Sequence, residues 1–148
     1  MLLTADTDAD LEVFLTEVGR HLAGTGAQVS IDLYVDEEIT DPGARRLYEE
    51  LRRTVREERE RAGGREWRRE SYMGVPLDLG TGDGLTAFVR LAHRTIGSEA
   101  VLADRIVFST VENERIVWLR LPAADVDRLV ARAREAGALS LAPLPPKP

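Results

Sequence analysis

Leu11, Phe14, Leu15, Val18 and Leu22 recur at i, i+3, i+4, i+7 and i+11, the spacing of a single helical stripe, and predict an amphipathic helix from about Asp8 to Ala23. Thr7 followed by Asp10 reads as a capping box with Asp in place of Glu. Gly24 and Gly26 mark its end. Residues 28–35 change period: Val29, Ile31, Leu33 and Val35 alternate with Ser30, Asp32 and Tyr34, as in a strand with one buried face. Asp41-Pro42 then supplies an N-cap and a first-turn proline for a second helix reaching about Ala62. Its apolar stripe, Ala44, Leu47, Tyr48, Leu51 and Val55, stops halfway. Arg56 to Arg61 is charged on every side and is expected to project into solvent, supported by i,i+4 pairs.

Beyond Gly63-Gly64, residues 65–73 read as a strand carrying Trp67 and Met73, which residues 75–79 extend past a kink at Gly74–Pro76. A third helix is expected from Asp83 or Gly84, with Leu85, Phe88, Val89, Ala92 and Ile96 on its apolar face. Residues 105–121 predict a hairpin about a two-residue loop, Asn113-Glu114, with Val111 opposite Ile116, Phe108 opposite Leu119 and Ile106 opposite Leu121. One face of it, Ile106, Phe108, Thr110, Val117, Leu119 and Leu121, is a core face; the other carries Val107, Val111, Ile116 and Trp118. A fourth helix runs from Pro122 to Gly137, a short strand over 138–142 follows, and residues 143–148 form a proline-rich extended tail. The expectation is one α+β domain over residues 1–142. From about residue 65 its order is the β-α-β-β-α-β of a ferredoxin-like core, preceded by a helix-strand-helix extension.

A length of 148 residues suits one domain. The apolar runs are too short to span a bilayer, and the acidic N-terminus does not resemble a signal peptide. Absence of cysteine excludes disulfides and thiolate chemistry and fits a cytoplasmic setting. All the basic residues are arginine except Lys147, the usage of a GC-rich bacterial genome. Charge is uneven: residues 1–42 hold ten carboxylates against Arg20 alone, whereas residues 43–70 hold ten arginines and seven glutamates. The net charge of -6 argues against a general nucleic-acid binder and for a surface that attracts basic partners.

Candidate chemistry is sparse. Asp78, Gly80, Gly82 and Gly84, between an apolar strand and a helix, resemble motif I of the Rossmann-like methyltransferases. There an acidic residue and spaced glycines let the backbone approach S-adenosylmethionine at a helix N-terminus. The resemblance covers eight residues and implies a ligand contact at Asp78, Gly80, Gly82, Asp83 and Gly84, but only 64 residues follow Gly84, too few for that family's sheet. His21 and His93 lie late in helices, off the apolar stripes, and read as surface histidines. Asp32, Asp36, Glu37, Glu38 and Asp41 form an acidic strand end and loop without EF-hand spacing, a solvated or partner-facing surface. Arg65, Trp67, Arg68, Arg69 and Tyr72 interleave bases and aromatics, but Glu66 and Glu70 dilute their charge. No serine sits in a nucleophile elbow.

These patterns lead to two expectations. The first is a non-enzymatic bacterial binding or accessory protein, immunity- or antitoxin-like, without metal or cofactor. It would use the acidic surface (Asp32, Asp36, Glu37, Glu38) and the apolar hairpin face (Val107, Val111, Ile116, Trp118) toward a protein partner, with a basic one as an option, and self-association into a homodimer as a further use of that face. The alternative is a binding protein or small enzyme for a nucleotide or an S-adenosylmethionine-like molecule at Gly80–Gly84.

Overall fold

A computed structural model describes residues 1–63, 72–112 and 114–145. Its elements follow in the order β1 (Leu2–Thr4), α1 (Asp8–Thr25), β2 (Gln28–Asp32), α2 (Pro42–Arg61), β3 (Val75–Leu77), α3 (Gly82–Leu91), β4 (Gly97–Leu102), β5 (Arg105–Thr110), β6 (Ile116–Leu119), α4 (Ala123–Glu135) and β7 (Ala142–Pro143). The strands form one sheet in the order β3-β2-β4-β5-β6-β1-β7. Every neighbouring pair is antiparallel.

The helix starts follow local chemistry. The Thr7 hydroxyl accepts the Asp10 amide at 3.1 Å, and Gly26 closes α1 with φ +75°. The Asp41 carboxylate accepts the Ala44 amide at 2.7 Å, with Pro42 in the first turn of α2. At α3 the cap is Thr81, not Asp83: its hydroxyl accepts the Gly84 amide at 3.0 Å. This helix ends at Leu91, short of the expected Ile96. Ile96 instead donates its amide to the Tyr34 carbonyl, and β4 begins at the next residue.

β4 is the element the hydrophobic pattern does not announce. Its residues turned toward the helices include Ser98 and Ala100, both buried and both small, so the alternation is weak. The turn into β5 places Ala103 and Asp104 at φ 49° and 60°, a left-handed pair that hairpin loops usually fill with Asn-Gly. Of the expected strand over 65–73, residues 64–71, with Trp67, lie outside the described residues, and β3 itself is confined to Val75–Leu77.

All four helices lie on one side of the sheet. Leu3, Val29, Ala100, Phe108, Val117 and Leu119 pack with Leu11, Phe14, Leu15 and Val18 of α1, Phe88 of α3 and Leu129 of α4. Ile31, on the same face of β2 as Val29, joins Val75 in packing against Ala44, Tyr48 and Val55 of α2. Helices α1 and α3 approach closely at Gly19, where a Cβ would stand 2.5 Å from Leu85. The Phe88 and Phe108 rings tie α3 to β5, with centroids 5.1 Å apart.

The fold class is therefore α+β on a single sheet, but the unit expected from residue 65 onward does not form a sheet of its own. Its first and last strands, β3 and β7, stand at opposite edges, and β2 and β1 are built into the sheet beside them. The N-terminal segment is woven in, not appended. Both edge strands carry a proline, Pro76 and Pro143, which removes a ladder donor and discourages further strands from adding.

Candidate functional site

The side of the sheet away from the helices has no described helix on it. The β5–β6 register is the expected one, with Phe108 opposite Leu119, Ser109 opposite Trp118 and Thr110 opposite Val117. A β-bulge changes which residues reach the open side. Ala100 pairs with Phe108 but Val101 pairs with Ile106, so Val107 is the extra residue. Val107 turns into the core, and Ile106, expected there, is 41% exposed instead. Val107 thus leaves the set of surface candidates. Val111 is 36% exposed, and Ile116 and Trp118 are half-buried. Leu2 of β1 lies opposite Trp118 and is also exposed. The open face is an apolar strip across β5, β6 and β1.

At the tip of the β5–β6 hairpin this strip meets a charged cleft of about 290 Å³ lined by Asp8, Glu37, Glu38, Ile39, Thr40, His93, Arg94, Glu114 and Arg115. Two i,i+4 pairs, Asp8/Glu12 on α1 and Arg90 of α3 with Arg94 in the turn that follows it, face each other beside it. Arg90 donates to Glu12 Oε2 at 2.9 Å and to Asp41 Oδ1 at 2.6 Å. Arg94 donates to the other Glu12 oxygen and to the Arg90 carbonyl, with Asp8 at 3.5 Å. Arg115 Nε donates to Asp8 Oδ1 at 2.6 Å. Burial works to raise the Asp8 carboxyl, but the Arg115 hydrogen bond and the charges of Arg94 and Arg115 together hold it below the ordinary value. The Ala44 amide and the Arg90 charge lower Asp41 in the same way. The hydrogen bond to Glu12 raises Arg90.

His93 is not a surface histidine. Its side chain is 2% exposed, and neither ring nitrogen has a hydrogen-bond partner. Nε2 stands 3.7 Å from Glu12 Oε1. Burial, then the neighbouring Arg94 charge, depresses its pKa to about 4, so the ring is neutral at pH 7. It cannot form an acid–base pair with His21. Glu12, beside His93, lies nine residues before His21 along α1, roughly 13 Å at the helical rise.

Of the acidic candidates, Asp32 accepts the Gly74 amide at 2.7 Å and ties the end of β2 to the residue before β3. Asp36, Glu37 and Glu38 are exposed. Glu38 pairs with Arg45, while Glu37 and Glu114 carry no ion pair among the described residues. Composition and period do not single out Glu12, Arg90, Arg94 and Arg115. The signal that could have found the first three is the pair of opposite-sign i,i+4 spacings on two amphipathic helices.

Three amides of the glycine loop, those of Gly80, Thr81 and Gly84, are bonded within the chain. Asp78 Oδ1 accepts the Gly80 amide at 2.9 Å, and the Asp78 carbonyl accepts the Thr81 amide and hydroxyl. A Cβ at Gly84 would lie 1.9 Å from the Asp78 carbonyl oxygen, so this glycine is needed to seat α3 on the turn. The adjoining depression is lined by Glu50, Asp78 and Asp83, carboxylates that repel an anionic ligand. The strand before the loop is an antiparallel edge strand, not the parallel strand that precedes a dinucleotide-type loop.

Among the described residues no helix is long and apolar enough to cross a membrane, and no three His, Cys, Asp or Glu side chains are placed to hold a metal ion. No family model, curated protein or solved structure matches the chain.

Proposed function

We propose that this is a non-enzymatic, protein-binding accessory protein of the bacterial cytoplasm, immunity- or antitoxin-like in manner of action, whose partner covers the open face of the sheet. The observation that carries this reading is the apolar strip Leu2, Ile106, Val111, Ile116 and Trp118 on a sheet side that no described helix covers. Exposed apolar patches centred on an aromatic residue are typical of association surfaces. Prolines at both edges favour binding through the face over strand addition. The acids beside the hairpin tip favour a basic partner over an acidic one.

The test is affinity capture from a native host lysate by the wild-type chain and by Ile116→Asp. One basic polypeptide recovered in stoichiometric amount by the first and lost by the second is the expected result. Recovery of none, or equal recovery by both, overturns the reading. Sedimentation of the purified chain covers self-association: a dimer that Ile116→Asp dissociates would make the partner a second copy. The ligand-binding alternative at Gly80–Gly84 has less support, because the Gly80, Thr81 and Gly84 amides are bonded within the chain and the adjoining depression carries three carboxylates.

A further inference from the structure

We infer that the cleft beside the hairpin tip is a socket for one basic side chain of that partner, an arginine or a lysine. The inference rests on the protein-binding reading and specifies the chemistry of its contact. Four carboxylates line the cleft, those of Asp8, Glu37, Glu38 and Glu114, against two cations, Arg94 and Arg115. Both cations already have carboxylate partners: Arg94 is held by Glu12 and Asp8, and Arg115 bonds to Asp8 through its Nε. Glu38 is taken by Arg45. Glu37 and Glu114 remain as acceptors without an ion pair among the described residues, one from the 33–41 loop and one from the hairpin tip.

The second observation is independent of the acids. His93 lines the same cleft, is buried, and leaves both ring nitrogens without a partner. A buried polar group without a partner is costly, and a neutral imidazole offers one acceptor and one donor. A cationic N–H group entering between Glu37 and Glu114 would supply a donor for the acceptor nitrogen and a charge for the two carboxylates. A volume of about 290 Å³ holds one side chain, not a peptide. An anion is disfavoured because four carboxylates line the cleft against two arginines, and both arginines already bond to a carboxylate.

The experiment is an NMR titration of the full chain with N-acetyl-Gly-Arg-amide, its lysine counterpart, and the citrulline peptide, which keeps the shape but not the charge. The His93 ring and the Ile39 and Thr40 amides are followed. Saturable shifts are expected with the arginine or lysine peptide, and affinity lower by roughly fivefold or more for citrulline. The Glu37→Gln/Glu114→Gln double variant changes only exposed residues. It should weaken the charged peptide by a similar factor while leaving the rest of the spectrum in place. Equal affinity for the charged and citrulline peptides overturns the socket, as does the absence of saturation at these residues up to about 10 mM, the weak end of specific recognition. Either failure leaves the open-face reading intact, because that reading is tested by Ile116→Asp in the capture experiment.

Discussion

The two sides of the β5–β6 hairpin are built from similar residues and meet different fates. Phe108, Val117 and Leu119 are sealed under α1, α3 and α4, whereas Val111, Ile116 and Trp118 remain partly open to solvent. Residue type does not separate the two faces. What separates them is that every described helix lies on one side of the sheet, so burial is decided by topology. A single bulge moves Val107 to the covered side and Ile106 to the open one. The comparison teaches that the placement of the helices, more than residue type, decides which apolar residues of a strand are sealed from solvent.

That contrast can be broken or sharpened by measurement. The largest effect is expected at Phe108→Ala, which removes a fully buried ring in contact with Phe88 and should cost about 3–5 kcal/mol in urea denaturation.

Next is His93→Phe. The folded pKa, about 4, lies below the unfolded value of 6.5. The fold therefore binds the proton less well than the unfolded chain does, and stability present above pH 6.5 is lost as pH falls toward 4. At pH 4.5 this loss amounts to roughly 2–3 kcal/mol. The variant should be more stable than wild type there by about that amount and nearly equal at pH 7, when stability is followed against pH. Asp8 and Asp41, held below 3.8, contribute chiefly at still lower pH.

Arg94→Met should cost about 2 kcal/mol, because it strips Glu12 of one of its two arginine partners. Adding Glu12→Gln should recover part of the loss, and a double-mutant cycle measures the coupling. The smallest effect on stability is expected at Trp118→Ser: under about 1 kcal/mol in the isolated chain, with loss of partner capture in the same variant. A loss comparable to that of Phe108→Ala would mean that the open face is a second core.

What was legible in the sequence was whatever repeats locally. The stripe of α1, the alternation of β2 and the Asp41-Pro42 start of α2 combine strong period with strong capping chemistry. The hairpin register was legible because the two strands align apolar residues around a single turn. β4 was not, because its inward positions are small and its turn uses Ala103-Asp104 instead of glycine or asparagine. The bulge was not, because an extra residue leaves no mark on composition. Strand order was not, because the places of β1 and β2 depend on pairings with distant parts of the chain. In the cleft the acids Glu37 and Glu38 were visible as a charged loop. His93 was misplaced because distance from the apolar stripe suggested exposure, whereas the end of α3 is buried against Glu12 and Arg94 by tertiary contacts.

The position of β1 has a kinetic consequence. It is the first strand synthesised, yet its two neighbours are β6, more than a hundred residues later, and β7, later still. The Met1 ammonium donates to the Leu119 carbonyl at 2.8 Å, so even the first residue is tied across that distance. During synthesis β1 has no native partner until nearly all the described chain has been made. The edge of β6 beside Trp118 stays open over the same interval. Contacts so far apart in sequence slow folding and leave strand edges open to misassociation. For a nascent chain of this topology, completing that end of the sheet waits until β6 and β7 have been made.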